Sequence, residues 1–377
     1  MRFATLLLTG LTLGLCHLHA VAAPQPLAVI DRSTWPEKLQ TPAAFDVASR
    51  AEVLQFASAL KDSEALSEEQ IADRLDLRTV NMASINVLRA QLWTRLWRSF
   101  DQAQQSCDQD ASFCFAIDSQ ADLQEQAAAY VVPVDSFYAT WSLSAKAFDE
   151  AYLDELLHAA ALSPQISSEV LRLNDTERNG DELNDRVFLL TFDGGPTPPQ
   201  GHTDWLVDYL RRQKMSATFF VLGNSFANRR DNPAGDDLPA LYQDQCVGVE
   251  GWEYRNHSVW QDWQDSIQRS VALVQGELPD SYVPLFRPPY GQRRGDAQNF
   301  FAGQNLQVAL WDIDSQDGSG RMTAEQSAQR VLTLMLLWRR GIVLFHDAQD
   351  KAQTALPWLL AQTAQSGIGW QPCKQFQ

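Results

Sequence analysis

The stretch that decides the fold is residues 187–196, VFLLTFDGGP, an apolar run that ends in an aspartate, two glycines and a proline. A short, continuous apolar run that ends in turn residues is typical of a strand buried on both faces, as in parallel sheets. Similar runs alternate with helical patterns further along the chain; they predict strands at 187–191, 217–222, 284–287, 308–311 and 342–345, and helices at 203–212, 263–278, 324–340 and 351–365. This alternation predicts an α/β fold, a parallel sheet or barrel with helices outside.

The chain before this region has helical patterning instead. Ile85, Leu88, Leu92 and Leu96 recur at the spacing of one buried helix face. Residues 174–182, NDTERNGDE, contain no apolar residue, which is typical of a linker between domains. We therefore expect a mainly α-helical N-terminal domain at 24–182, with the linker at its end, and an α/β domain at 183–377.

The first residues have the pattern of a signal peptide. Arg2 is followed by an apolar run and then by small residues up to Ala23, and the run is too short to span a bilayer. We expect residues 1–23 to be removed on export, so that the protein is periplasmic or secreted and is not an integral membrane protein.

Charge and cysteine content narrow the possible partners. The 377 residues carry a formal net charge of −17, which disfavours binding to nucleic acid. Four cysteines follow the predicted leader, and an even number in an oxidising compartment favours disulfides, Cys107 with Cys114 and Cys246 with Cys373. Four buried thiols are the alternative.

Chemically capable side chains follow several of the predicted strands; they are Asp193, Arg287, Asp312 with Asp314, and His346. Because the carboxyl ends of parallel strands meet at one edge, we expect these groups to form a catalytic or ligand site. The alternative is a structural network of ion pairs over the mouth of a barrel.

The order of five motifs carries a family resemblance. They are TFDGGP at 191–196, NHS at 256–258, RPPYG at 287–291, DSQD at 314–317 and LFHD at 344–347. In this order they resemble the NodB-type polysaccharide deacetylases, carbohydrate esterase family 4. The resemblance implies a distorted (β/α) barrel that uses a divalent metal, zinc or a similar ion, and water to remove N-acetyl or O-acetyl groups from a polysaccharide.

The resemblance also implies roles for individual residues. Asp193 would be the general base and His346 the general acid. Arg287 would orient Asp193, and Asp314 would fix Arg287 or tune His346. The remaining positions contribute to substrate and oxyanion binding: the Tyr290 backbone amide, Pro289, and Leu344 in the pocket for the acetyl methyl group.

The metal site departs from the family pattern. The family has a second aspartate where this chain has Gly194, and a second histidine where it has Gln261, so His257 alone remains of three ligands. Asp193 could become a ligand beside His257, with one donor from a nearby set, Gln261, Glu253 or Asp262. Gly318 replaces the tryptophan that closes the fourth motif.

Two functions follow from this mixture. The retained acid and base predict an exported deacetylase of a cell-wall or extracellular glycan. The lost ligands favour the alternative, a catalytically inactive protein of the same fold that binds glycan or assists envelope assembly.

Overall fold

The structure is a computed structural model that describes residues 26–162, 172–232 and 237–376. The predicted signal peptide lies outside the described residues. None of the helices within those ranges is both long and apolar enough to cross a membrane.

The N-terminal half is helical, as the patterning predicts. Its helices are α1 (Pro42–Glu64), α2 (Glu68–Arg74), α3 (Met82–Ala103), α4 (Gln120–Ala129) and α5 (Ala139–Leu162). The Thr41 hydroxyl accepts the Ala44 backbone N–H and so caps the start of α1. The apolar face predicted on α3 is completely buried.

The C-terminal half is built on parallel strands. They are β1 (Glu177–Arg178), β2 (Val187–Asp193), β3 (Thr218–Val221), β4 (Cys246–Val249), β5 (Tyr282–Phe286), β6 (Gln307–Ala309), β7 (Ile313–Asp314), β8 (Gly341–His346) and β9 (Gly369–Trp370). The sheet order is β1-β6-β5-β4-β3-β2-β8-β7, with β9 paired to the start of β2. The connecting helices are α6 (His202–Gln213), α7 (Gly223–Arg230), α8 (Leu238–Leu241), α9 (Trp263–Glu277), α10 (Gln298–Gly303), α11 (Ala324–Trp338) and α12 (Lys351–Thr363). This is a distorted (β/α) barrel preceded by a helical region, as predicted.

The continuous apolar run of β2 is buried on both faces because the strand has two apolar environments. Phe188, Leu190 and Phe192 belong to the large core that is shared with the helices. Leu189 packs with Leu344 and other inward-facing residues in a second cluster inside the barrel. Alternating residues of one strand therefore fill two cores.

Two expectations about this half were wrong. Residues 174–182 are not a free linker: they contain β1, which pairs with β6, and Glu177 forms a buried ion pair with Arg293 at 2.6 Å. The pairing with β6 compensates for the missing apolar residues, and the predicted domain boundary after residue 182 therefore cuts between two strands of one sheet. The second error is in the set of predicted strands, which leaves out β4, whose four residues include a glycine, and the two-residue strands β7 and β9.

The two halves share one continuous core, and buried polar contacts join them through α11. The Ser49 hydroxyl donates to the Leu336 carbonyl at 2.7 Å. Arg330 of α11 pairs with Glu155 of α5 at 2.7 Å, and its Nε donates to the backbone carbonyl of Asp314. The helical half is thus tied to the strand end that carries Asp314.

Both predicted disulfides are present. Cys107 is bonded to Cys114, and Cys246 is bonded to Cys373. The second bond links the start of β4 to the C-terminal segment of the chain.

Candidate functional site

The site lies at the carboxyl ends of the barrel strands. Asp193 ends β2, His346 ends β8, and the two residues are register partners across the parallel ladder. Asp314 ends β7, directly beside β8. The strand order thus brings together side chains that are far apart in the sequence.

Asp193 and Arg287 form a buried ion pair. The Arg287 guanidinium donates to Asp193 Oδ1 at 3.1 Å and is held in place by hydrogen bonds to the carbonyls of Ala309 and Leu310. Its charged group also stacks over the Phe220 ring. Burial raises the pKa of Asp193, while the Arg287 charge opposes that rise. This geometry agrees with an orienting role of Arg287.

His346 is held by Asp317. His346 Nδ1 lies 2.7 Å from Asp317 Oδ1, and the His346 backbone N–H donates to Asp317 Oδ2 at 3.0 Å. Burial disfavours the charged imidazolium, but the Asp317 hydrogen bond and charge, with the charges of Asp193 and Asp314, raise the pKa of His346 to about 10. His346 is therefore an imidazolium at neutral pH, the form that a general acid requires.

Asp317 was not assigned a role from the sequence, although it is the last residue of the fourth motif. Asp314, which was assigned one, accepts hydrogen bonds from the Gln316 backbone N–H at 2.8 Å and the Gln316 side chain at 3.0 Å. The Arg287 contacts described above do not include Asp314. Its negative charge still raises the pKa of His346, so it acts on that histidine through space.

The proposed oxyanion and substrate residues lie around the mouth. Tyr290 has a left-handed backbone (φ 61°), which is uncommon for an aromatic residue, and its side chain is 54% exposed. Pro289 and Leu344 are buried, and Leu344 faces the interior of the barrel. Gly318, at the position where the family has tryptophan, lies beside His346: an added Cβ would be 3.3 Å from His346 Cε1.

His257 faces the core rather than the site. Its Nδ1 lies 2.7 Å from the Arg255 carbonyl and its Nε2 lies 3.1 Å from the Ser266 hydroxyl. Because the Ser266 oxygen already accepts the Trp252 backbone N–H, its own proton is available for His257 Nε2. Burial lowers the pKa of His257 to about 4. Both ring nitrogens are used in structural hydrogen bonds, so this neutral histidine has no lone pair to offer a metal.

The other predicted metal donors are equally unsuited. Gln261 and Asp262 are exposed, and Gln261 lines a separate surface depression beside Trp260 and Arg294. Glu253 is exposed beside Arg255. Across the described ranges there is no group of three or more His, Cys, Asp or Glu side chains that could hold a metal ion.

The residues that do lie beside Asp193 come from the loop after β4. Glu250 follows this strand directly, and Tyr254 lies four positions later, the spacing that the resemblance gives to the two histidine ligands. Burial, together with the negative charges of Glu250 and Asp193, raises the pKa of Tyr254, and Glu250 interacts with the Gly194 backbone N–H. Neither residue was predicted from the sequence, because the strand that positions them, β4, was not predicted either.

These donors do not fit a zinc ion. Asp193 is already paired with Arg287, Gly194 has no side chain, and the pKa of Tyr254 is raised, mainly by burial, which opposes the phenolate that a metal would need. Glu250 is then the one carboxylate left in the set, whereas a catalytic zinc site has three protein ligands. The implied metal therefore has no matching set of ligands among the residues that the structure describes at this edge.

Residues 180–309 match the family model described as polysaccharide deacetylase. Over 187 residues the chain is 30% identical to the peptidoglycan-N-acetylmuramic acid deacetylase PdaC of Bacillus subtilis, an alignment that covers 46% of this chain and 35% of PdaC. Over 235 residues it is 26% identical to the chitooligosaccharide deacetylase of a Bradyrhizobium species, covering 55% of this chain and 99% of that protein.

Solved structures also match part of this chain. The Bc1960 peptidoglycan N-acetylglucosamine deacetylase aligns with a TM-score of 0.45 at 20% identity, over 52% of this chain and 90% of that one. The chain spans only about a third of PdaC, but it covers nearly all of the Bradyrhizobium protein. Residues 180–309 of this chain are therefore similar to the polysaccharide deacetylase domain, and the curated relatives that match the chain are peptidoglycan and chitooligosaccharide deacetylases.

Proposed function

We propose that this chain is a hydrolase that removes N- or O-acetyl groups from a cell-wall or extracellular glycan. One observation carries the proposal: the Asp193–Arg287 and His346–Asp317 pairs stand side by side at the ends of β2 and β8. The first pair presents an oriented carboxylate, and the second presents an imidazolium. Acyl hydrolysis needs a base that activates the water and an acid that protonates the leaving group.

The step can be written with the chain's own residues. Asp193 removes a proton from water as the water oxygen bonds to the acyl carbon. His346 gives its proton to the departing nitrogen or oxygen of the sugar as the bond to the acyl carbon breaks. The products are acetate and a free amine or hydroxyl, and the Tyr290 backbone amide is a donor for the anionic intermediate.

A second candidate is a glycan-binding protein that does not hydrolyse its ligand. The specific observation in its favour is the position of His257, whose two nitrogens are both engaged in the core. If no metal is bound by the described residues at this edge, the site retains affinity for an acetylated glycan without hydrolysing it.

One experiment separates the two candidates. Acetate release from acetylated chitooligosaccharide, peptidoglycan and poly-N-acetylglucosamine is measured with and without added zinc, alongside binding of the same glycans. Release that disappears in Asp193→Asn and persists in the exposed control Asp350→Asn would support the hydrolase. Binding without release in the unaltered protein would favour the second candidate.

Export is part of the proposal. Residues 1–23 have the pattern of a signal peptide, and the two disulfides suit an oxidising compartment. Fractionation of the native host, with N-terminal sequencing of the mature protein, tests this. Recovery of the full-length chain from the cytoplasm alone would refute it.

A further inference from the structure

Glu250 has no place in the acid–base scheme above, yet it is buried at the same edge. Its side chain is 2% exposed, and its Oε2 has no hydrogen-bond partner among the described residues. A carboxyl oxygen that is buried without a partner costs free energy unless a proton or a ligand compensates for it. An orphaned oxygen at the floor of a site therefore points to a ligand.

Tyr254 is the second residue of the loop after β4 that interacts with this buried carboxyl. Its ring is 41% exposed and lies against the Tyr290 ring, with 4.6 Å between the ring centroids. Its phenol group lies within the electrostatic range of Glu250, Asp193 and Asp314. Tyr254 is therefore partly exposed and also interacts electrostatically with the buried carboxyls.

The charges around Glu250 determine which form of its carboxyl is stable. The groups that face it are Asp193, His346, Arg287, the Gly194 backbone N–H and the Tyr254 phenol. Both cations are already paired, Arg287 with Asp193 and His346 with Asp317. Burial and the neighbouring Asp193 charge hold the pKa of Glu250 well above its usual range. Glu250 is therefore a neutral carboxylic acid over a wider pH range than an exposed glutamate, and it can donate a hydrogen bond.

We propose that Glu250 and Tyr254 form a pair of hydrogen-bond donors that binds the carbonyl oxygen of the ligand's acyl group in a subsite that needs no metal ion. This inference rests on the proposed function, because it names the chemical group that the site recognises. In the proposed complex the acid O–H of Glu250 and the phenol O–H of Tyr254 both donate to this one acceptor oxygen. A deacetylated sugar has no such oxygen, so the pair selects the acetylated glycan.

The chemistry has a general precedent. A buried carboxylic acid that stays neutral beside a tyrosine can donate to a developing oxyanion, and such donors supply much of the stabilisation in acyl and enol chemistry. In this chain the pair would take over the polarising task for which the metal ligands are missing.

The test measures binding by calorimetry, with the tetramer of N-acetylglucosamine and the tetramer of glucosamine as probes. We expect the unaltered protein to prefer the acetylated tetramer, and Tyr254→Phe, which keeps the ring stack, to bind it about tenfold more weakly because one neutral hydrogen bond is lost. We expect Glu250→Gln, which keeps an N–H donor, to stay within about threefold, and Glu250→Leu to lose affinity like Tyr254→Phe. Glu253→Gln and Tyr209→Phe are the matched controls, since Glu253 is exposed and Tyr209 lies in α6.

The pH dependence supplies a readout that a structural role would not change. Affinity of the unaltered protein should fall as Glu250 ionises with rising pH, and the fall should disappear in Glu250→Gln. Asp347 faces Asp193 and His346, and burial raises the pKa of this carboxyl to about 7, so Asp347→Asn must keep the fall if Glu250 causes it. Infrared spectroscopy should show a protonated-carboxyl band that persists to higher pH than that of an exposed glutamate and that Glu250→Gln lacks.

The outcomes separate this inference from the proposed function. Unchanged affinity in both Tyr254→Phe and Glu250→Leu would overturn the donor pair, as would binding that a chelator abolishes. If neither tetramer binds, the proposed function fails. N-methylacetamide, which carries the acyl group without a sugar, then tests the pair by NMR: weaker binding in Tyr254→Phe supports the pair, and unchanged or absent binding overturns it.

Discussion

Asp317 contacts His346 twice, through Oδ1 to the ring Nδ1 at 2.7 Å and through Oδ2 to the backbone N–H at 3.0 Å. The two oxygens of one carboxylate therefore fix both the ring and the main chain of this residue. Since Asp317 is fully buried, its charge acts on the imidazolium with little screening by water. The relationship makes Asp317 the positioning residue for the proposed general acid.

The substitution Asp317→Asn should lower the pKa of His346 from about 10 towards or below its ordinary 6.5. Burial of the imidazole then acts without the Asp317 charge that opposes it. Titration of the ring by NMR checks this, with Asp350→Asn as the control. A raised native pKa contributes stability that is complete below pH 6.5 and is lost as the pH rises through about 10. The unaltered protein should therefore lose more stability than Asp317→Asn between pH 7 and 10, and equal losses would contradict the assignment.

The missing ligands predict where a zinc site can be built. The combination Gly194→Asp, Glu250→His and Tyr254→His places two imidazoles and a carboxylate beside Asp193, and we expect it to retain about one zinc ion per chain after dialysis. The φ of Gly194 is +90°, which strains any side chain, although aspartate tolerates positive φ better than most residues.

The matched control for the zinc site is Gly194→Asp with Gln261→His, which retains His257. It should bind no zinc, because His257 remains hydrogen-bonded in the core and Gln261 lies in a different depression. Metal analysis and the visible spectrum of the cobalt form measure both proteins. Zinc in the control, and not in the triple variant, would mean that the ligand positions are the ones expected from the sequence.

His257 should have a structural role with a defined pH dependence. Its pKa is lowered to about 4 in the folded protein, so the unfolded chain takes up a proton first as the pH falls below about 6.5. This costs stability progressively between pH 6.5 and 4, by roughly 3 kcal/mol at most. Chemical denaturation at several pH values should show a smaller acid-induced loss in His257→Gln than in the unaltered protein. A loss of zinc in that variant, with no change in this slope, would argue for a ligand instead.

The contact between the helical half and the barrel should contribute to the free energy of unfolding. Glu155→Gln removes the charge partner of the buried Arg330 guanidinium, and breaking a buried pair from one side costs about 3 kcal/mol or more. Urea denaturation measures this, and Glu150→Gln, on an exposed position of the same helix, is the control. Because Arg330 also donates to the Asp314 carbonyl, the variant should reduce glycan binding as well as stability. Unchanged stability would mean that the contact does not support the interface.

The local pattern of residues was sufficient to predict much of the fold and several residues of the site. The apolar run at 187–191 predicted β2 and left Asp193 at the end of the strand, and three further strands placed Arg287, Asp314 and His346 at the same edge. A strand buried on both faces has a composition that can be recognised without its neighbours. The disulfides were predicted from the even number of cysteines after the leader, and the buried face of α3 was predicted from the helical spacing of its apolar residues.

Tertiary contacts determined the secondary structure of the short or polar segments. Residues 174–182 form an edge strand because β6 and Arg293 pair with them, and β4 is a strand because β3 and β5 flank its four residues. No pattern within such a segment reports a partner that lies tens of residues away. The omission of β4 is also why Glu250 and Tyr254 were overlooked.

The candidate metal site shows the same limit at the level of one side chain. His257 is of a residue type that binds metal ions and lies in a motif that resembles the family's ligand motif. The sequence alone therefore favours a metal-binding role for it. Its orientation depends on Ser266, nine residues later in α9, whose hydroxyl binds the nitrogen that a metal would have used. The sequence determined which reactive groups the barrel edge would carry, whereas the folded chain decided which of them face one another, because each hydrogen bond is made with whichever partner the packing brings within about 3 Å.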